Sequence, residues 1–466
     1  MVNVVLALLS GFLFFAGFAP WEIWIAPYVA IVLLFRILCD KALPERFTYS
    51  LLAGLAFFLP LLHWSSVYVG SIPWLVLAVG ESLLFAAIGL VRWQRRWENA
   101  LLFSAIFTAI ELLRMKFPFG GFGWGRLGFT QVDSLNWLYP WIGVTGISLL
   151  VSTSAFLLIS KSKTIALILS IIAATFLLSR ILSPDTEGKV LQVTAIQGGV
   201  DELGLSFNDR AMRVLERHVQ ATTKVERTDL YVWPENASDV DPLKNEKARL
   251  LITDLVRRLE SALLVGAVER TLEGPANTSL LFGADGEVKS RYIKQDLAPF
   301  GEYMPVRRIA ESISPYAKQV NDFVSGDTWV RHSINDHPFQ SLICFEILDD
   351  DHVKDGTKGT TFVVAQTNNA TFGRSSEAAQ QLQITRARAA ESAREFVVVS
   401  TTGFTSHLDA EGKVLAKAPQ FTSESLTMNV KLVDPRHETP AQQLSTWFWA
   451  MIVGLLSGAV WWRISR

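Results

Sequence analysis

The chain has 466 residues, 43 Lys+Arg against 44 Asp+Glu, and only 2 Cys. Half of it is hydrophobic, yet the 19% that is charged is unevenly spread. Residues 1–184 hold 12 Lys/Arg and 7 Asp/Glu, about 10%, whereas the rest is about 24% charged, the level of an ordinary soluble domain. A uniform globular domain and a disordered chain are both excluded. The near-neutral balance, without a basic stripe, excludes nucleic acid as a partner.

A membrane-crossing helix needs about 20 mostly apolar residues. Segments near 3–19, 22–38, 49–70, 73–92, 99–115, 137–160 and 164–183 qualify, and an eighth follows at 445–462. The first begins Met1-Val2-Asn3 without a basic n-region and without a cleavage signal before Pro20, so it reads as a retained helix. Short loops carry Arg36, Lys41 and Arg46, then Arg92, Arg95 and Arg96, then Lys161 and Lys163, and the tail carries Arg463 and Arg466. These loops alternate along the chain, which assigns them to the cytoplasm. The loop 116–136 departs from the pattern with Lys116 and Arg126. The expected organisation is a membrane domain at 1–184 with seven helices, an extracytoplasmic domain at 185–440, and a last helix with a cytoplasmic tail at 441–466. Cys39 and Cys344 then lie on opposite sides of the membrane, which excludes a disulfide between them.

His63, Glu81 and Glu111 sit inside the apolar segments. Each is isolated in sequence, near no second titratable group. The first reading is a helix-packing contact, and the alternative is a headgroup or proton site. The glycine- and aromatic-rich loop Phe117–Arg126 reads either as an interfacial re-entrant loop or as a lipid entry site in which Arg126 meets phosphate.

From Gly188 onward the pattern is short β-branched runs, at 190–196, 230–233, 263–268, 340–343, 361–365 and 396–399. Helical stretches at 208–227, 243–260 and 375–394 alternate with them. Apolar strands between helices indicate an α/β domain with covered sheets.

Three motifs carry chemistry: Val232-Trp233-Pro234-Glu235-Asn236; Tyr292-Ile293-Lys294 with Pro299-Phe300-Gly301-Glu302-Tyr303-Met304-Pro305; and Leu342-Ile343-Cys344-Phe345-Glu346. Singly they read as a turn, a solvated lysine and a small buried hydrophobe. Together they are coherent. A thiol becomes a strong nucleophile when a neighbour takes its proton, and Glu235 offers that base. Lys294 offers charge for the thiolate and then for an oxyanion. A Cys–His dyad stays open as a less direct arrangement, because catalytic partners need not be adjacent in sequence. No His/Cys pair has metal-ligand spacing, so no metal is expected.

The order Trp-Pro-Glu, then Tyr-x-Lys with Pro-Phe-Gly-Glu-Tyr-x-Pro, then Ile-Cys-Phe-Glu resembles the nitrilase superfamily. With the apolar helices around it, the chain resembles the bacterial apolipoprotein N-acyltransferases over nearly its whole length. Thr367-Asn368-Asn369-Ala370-Thr371-Phe372-Gly373 and the helix with Gln380, Gln383, Arg386 and Arg388 also look like segments of that family. The resemblance implies an α/β nitrilase-like αββα domain joined to a bundle of eight transmembrane helices. It implies a Glu235–Lys294–Cys344 triad supported by Glu302, Phe345 and Glu346. Candidate substrate contacts are Phe207, Arg126 and Tyr303. Phe345 stands where the family often has Tyr, and Ser206-Phe207 where it usually has Trp. The implied activity moves a fatty acyl chain from a membrane phospholipid, through a thioester on Cys344, to the amine of a diacylglyceryl-cysteine at the start of an apolipoprotein. No cofactor is implied. The expected state is a monomer in the bacterial inner membrane with both termini cytoplasmic. The rival readings are a membrane-tethered amidase of the nitrilase type and a non-catalytic lipid-binding scaffold. Residues 296–308 read either as a lid hinged at Gly301, with Glu302 ordering the amine or Lys294, or as a static interfacial loop.

Overall fold

The computed structural model describes residues 1–157, 186–204, 211–313, 317–318 and 320–465. The apolar segment 164–183 and Phe207 lie outside them. The chain divides into two compact units, Met1–Ser183 with Thr439–Arg466, and Pro184–Glu438.

In the first unit the apolar runs become α1 (Val2–Ala16), α2 (Ala26–Leu38), α3 (Leu43–Leu61), α4 (Ser71–Ala86), α5 (Trp97–Lys116) and α6 (Tyr139–Leu157), the last interrupted at Gly143. A proline in the first turn starts α2 and α3, where its missing N–H leaves no bond unmade. The short α12 (Pro440–Gln443) and α13 (Thr446–Ser465) complete the unit, and α13 packs on α5. Among the described residues one helix, Ser71–Leu90, is long and apolar enough to cross a membrane by length and composition. Val2–Ala16, Ala26–Leu38 and Thr446–Ala459 are shorter apolar helices. α5 has the length but carries Glu98, Glu111, Arg114 and Lys116.

Phe14 lies at the centre of the bundle, with its ring 5.6, 5.8 and 5.7 Å from those of Phe57, Phe85 and Phe107. The isolation expected for Glu81 is corrected here. The helix crossing sets it against Arg114, 33 residues away, in a buried ion pair. Arg114 also donates to Trp124 O (2.7 Å) and lies 4.4 Å from the centre of the Phe58 ring. Glu111 accepts the Leu127 N–H at 2.7 Å, so α5 anchors the loop that follows it. Removing one member of a buried pair leaves an uncompensated charge, whereas removing both does not. Arg114→Met is therefore expected to destabilise the detergent-solubilised protein by about 3–5 kcal/mol. Thermal unfolding of the Glu81→Leu/Arg114→Met double variant should recover most of that loss.

The second unit is built on two six-stranded sheets. One contains β1 (Thr186–Gln197), β2 (Leu230–Val232), β3 (Ala262–Arg270), β4 (Pro275–Phe282), β5 (Val288–Ile293) and β12 (Glu424–Val433), in the order β12-β1-β2-β3-β4-β5. The other contains β6 (His332–Ile334), β7 (His337–Ile343), β8 (Phe362–Thr367), β9 (Phe396–Ser400), β10 (Ser406–Leu408) and β11 (Val414–Lys417), in the order β11-β10-β9-β8-β7-β6. β1-β2-β3 and β7-β8-β9 are parallel. Strand side chains alternate between faces, and both faces of the first sheet are apolar. Leu230, Val232 and Leu264 meet Phe339, Phe362, Val364 and Val397 of the second sheet in one buried core. Tyr231, Trp233, Leu263 and Val265 face α7 (Arg213–Thr222) and α8 (Glu246–Leu259) in another. Asn245 caps α8 by accepting the Ala248 N–H (3.0 Å), and Arg257 and Arg258 fall in its last turn, complementing the helix dipole. On the second sheet, α10 (Asp350–Thr357) packs on β7, and α11 (Glu377–Ser392) lies beside it. The layers therefore run helix, sheet, sheet, helix, as the resemblance implied.

Candidate active site

The chemical residues leave the sheets at strand ends. After β2 the chain turns through Trp233-Pro234 to Glu235. The Pro234 carbonyl passes so close to Gly266 that a Cβ there would sit 2.1 Å from its oxygen. Gln366 of β8 donates to Trp233 O (2.6 Å) and Thr401 donates to Glu235 O (3.3 Å), so the second sheet fixes a turn of the first.

Lys294 follows β5, and its N–H donates to Asn277 O of β4 (2.9 Å). Its Nζ lies 2.7 Å from Glu302 Oε2 and 3.5 Å from Glu235 Oε1. Asn277 Nδ2 donates to Glu235 Oε1 (2.6 Å) and to Glu302 Oε1 (2.9 Å), and the Ala298 N–H donates to Glu302 Oε2 (2.8 Å).

Cys344 follows β7 and opens a 3-10 turn, Cys344–Leu348, at φ +52°. That left-handed conformation is strained for a residue with a Cβ and persists where its surroundings over-determine it. Glu346 supplies part of the restraint. Its Oε2 accepts the Ile343 N–H (2.7 Å), and its Oε1 accepts from Tyr292 OH (2.7 Å) and Gln295 N (2.8 Å). Arg388 of α11 holds the turn from behind, donating to Ile347 O (2.7 Å), Leu348 O (3.0 Å), Asp350 (2.8 Å) and Glu391 (2.6 Å).

The structure thus gathers Glu235, Lys294, Glu302 and Cys344 in one cluster, with Glu346 beneath. Phe345 is half-buried beside the thiol. Tyr303 is half-buried as well, and its carbonyl accepts the Phe300 N–H (2.8 Å), closing the turn that presents Glu302. Arg126 belongs to the helical unit. It is fully buried, donating to Thr145 Oγ1 (2.6 Å) and Met115 Sδ (3.1 Å).

Electrostatics follow from burial and pairing. Burial raises the Glu235 carboxyl, Lys294 opposes the rise and Glu302 adds to it. Burial alone would lower Lys294, but Glu302, Glu235 and Cys344 hold its ammonium well above the ordinary lysine value. The Cys344 thiol is pushed up by burial and by Glu235, against Lys294. The resting site therefore holds an ammonium and a neutral thiol beside the Glu235 carboxyl, the group set to take a proton from sulfur.

Sequence reading missed Asn277, Glu377, Gln381 and His352. Asn277 had a faint signal, as the first of the polar run Asn277-Thr278-Ser279 in a strand that ends apolar. His352 had none. It lies 3.3 Å from both Asp296 Oδ2 and Glu346 Oε1, against the Trp329 ring.

Residues 10–157 match the family model for the apolipoprotein N-acyltransferase N-terminal domain, and residues 180–436 match that for carbon–nitrogen hydrolases. The two-sheet unit therefore has the carbon–nitrogen hydrolase fold. The chain is 30% identical to the apolipoprotein N-acyltransferase of Mycolicibacterium smegmatis, an alignment covering 91% of this chain and 79% of that one. It is 26% identical to that of Vibrio vulnificus, over 97% and 95% of the two chains. A solved CN-hydrolase superfamily protein from Xanthomonas campestris aligns with 52% of this chain and 91% of its own, at 14% identity and a TM-score of 0.40. The chain belongs to the apolipoprotein N-acyltransferase family of enzymes.

The His352 contacts predict a pH dependence of stability. Burial would lower the imidazole, but Glu346 and Asp296 hold it above its ordinary 6.5. A raised folded value stabilises fully below about pH 6.5, and the contribution is lost as pH rises through the folded value. The melting temperature of wild type should exceed that of His352→Gln by more at pH 6 than at pH 9.

Proposed function

We propose that this acyltransferase works in two steps through a thioester on Cys344. In the first, Glu235 takes the thiol proton as Sγ attacks the ester carbonyl of a membrane phospholipid. Lys294 and the Phe345 backbone N–H stabilise the oxyanion. The C–O bond breaks, the lysophospholipid oxygen takes the proton from Glu235, and the acyl group stays on sulfur. In the second, the amine of a diacylglyceryl-cysteine at the start of an apolipoprotein attacks the thioester. Glu235 receives its proton, and Sγ leaves and is reprotonated. Glu302 holds Lys294, and Glu346 holds the turn that carries Cys344. The single observation that carries this reading is the buried Lys294 ammonium 3.5 Å from Glu235 Oε1, with both charges acting on the Cys344 thiol.

The helical unit is proposed to supply eight membrane spans, with residues 185–440 outside the cytoplasm and both termini inside. The alternation of basic loops supports this topology. Tyr303 and Phe207 are proposed to meet the lipid substrates, and the protein to act as a monomer. Arg126, enclosed by its own unit, supports the loop fold rather than a phosphate contact.

Intact mass of the full-length protein incubated with phospholipid should show a long-chain acyl adduct that is absent in Cys344→Ala, and that variant should lose transfer altogether. Glu235→Gln should slow adduct formation by about 10²–10⁴-fold. Lys294→Ala should slow it by about 10²–10³-fold. Transfer by Cys344→Ala at the wild-type rate would end the thioester mechanism. Topology is checked separately by labelling a cysteine placed at Asp201 in intact cells. Labelling only after lysis would invert the assignment.

A further inference from the structure

Beside Cys344 lies a chain of polar side chains that the triad does not use. Gln381 Nε2 is 3.7 Å from Cys344 Sγ, within reach for an N–H···S bond. Glu377 and Gln381 are one turn apart on α11, so both present to the same face, and that face meets Asn369. Asn369 Nδ2 donates to Gln381 Oε1 (2.8 Å) and to Glu377 Oε2 (2.7 Å).

The direction of this chain follows from the two hydroxyls at its far end. The Gly403 N–H donates to Ser400 Oγ (2.8 Å), and the Ser400 hydroxyl donates to Asn369 Oδ1 (2.5 Å), as does Thr367 Oγ1 at 3.2 Å. Asn369 Nδ2 therefore faces α11. Gln381 Oε1 is taken up as an acceptor, which leaves Nε2 turned to the sulfur. Reversing the Gln381 amide would set two donors against each other at Asn369 in a buried site, where a lost hydrogen bond is costly. Gln381 and Asn369 are both nearly fully buried, so water does not replace these partners.

We infer that Gln381 is a further catalytic residue: its amide N–H binds the Cys344 sulfur and stabilises it as a thiolate, both when the proton leaves for Glu235 and when sulfur leaves the thioester, with Asn369 as its positioning residue. This inference rests on the reading of Cys344 as the nucleophile. The Phe345 N–H and Lys294 serve the carbonyl oxygen, whereas Gln381 serves the sulfur, so its effect belongs to the steps in which sulfur carries charge. The charged and titratable groups facing the thiol are Glu235, Lys294, Glu302 and Glu377. Burial lifts Glu377 to about 8, against the Asn369 hydrogen bond and with a further push from Glu235. At neutral pH it is therefore largely uncharged and adds little repulsion beside the sulfur.

The test uses the full-length protein in detergent with Cys39→Ala, so that one thiol reports, and follows iodoacetamide alkylation of Cys344 against pH. Gln381→Glu offers an acceptor to the sulfur and Gln381→His keeps an N–H donor; both are polar, so the fold has two chances to survive the exchange. The expected result is an alkaline shift of the alkylation profile in Gln381→Glu and acyl-adduct formation slowed about tenfold or more, with Gln381→His retaining most of the wild-type profile. Half-saturating phospholipid should stay unchanged. Superimposable profiles in all three proteins would overturn the role of Gln381. If Cys344→Ala is inactive while the Gln381 variants match wild type, this inference alone fails. If Cys344→Ala still transfers acyl groups, the nucleophile assignment fails first.

Discussion

The catalytic unit turns on one buried ammonium. Lys294 is almost fully enclosed, and a charge taken out of water is tolerated only where opposite charge and hydrogen bonds replace the lost hydration. Glu302 and Glu235 provide the charge, and Asn277, whose single amide nitrogen donates to both carboxylates, fixes their spacing. Lys294 follows β5, Asn277 lies on β4, Glu235 follows β2 and Glu302 comes from the loop after β5. The site therefore exists only while the first sheet keeps its register. The apolar core between the sheets is what keeps it, and Gln366 and Thr401 tie the Glu235 turn to the second sheet, from which Cys344 arrives.

The same economy of position explains the backbone at Cys344. A left-handed residue at the end of β7 turns the chain sharply, so the thiol leaves the sheet while the next residues form a tight turn. Holding that conformation takes restraints on both sides. Glu346 is stapled to the end of β7 and to Tyr292 at the end of β5, and Arg388 binds the carbonyls of the turn. Burial works against ionised Glu346, but His352 and these hydrogen bonds keep it below the usual carboxylate range. A carboxylate locked in that state is a good brace and a poor base, which separates its task from that of Glu235.

The Glu235 and Cys344 motifs were legible in the sequence because the apolar strands before them stop at Trp233-Pro234 and at Ile343, whatever the sheet order. Covered sheets were legible from strands without polar alternation, and their pairing into two layers only from the family resemblance. The pairings were not. Nothing local joins Glu81 to Arg114, or Gln381 to Cys344, because each pair is made by a helix crossing or a helix face meeting a turn. Arg126 misled for the opposite reason. A glycine- and aromatic-rich loop suggests an interface, but its arginine folds inward onto Thr145 and Met115. Composition also overstated helix length, since polar residues and the Gly143 interruption divide several apolar runs that look continuous in the sequence.

Burial raises both the thiol of Cys344 and the carboxyl of Glu235, and this shared shift favours the proposed proton transfer between them. Ionising either group alone would create charge where the medium solvates it poorly. Passing the proton from sulfur to carboxylate creates none, because the negative charge only changes its holder. In the proposed mechanism attack moves that charge again, from sulfur to the carbonyl oxygen, and the departure of the lysophospholipid oxygen moves it once more. At each stage the charge stays within the field of the Lys294 ammonium, whose own charge is held by Glu302 even when Glu235 has become neutral. Two carboxylates around one ammonium are thus not redundant. One keeps the cation charged throughout the cycle, and the other is left to carry protons.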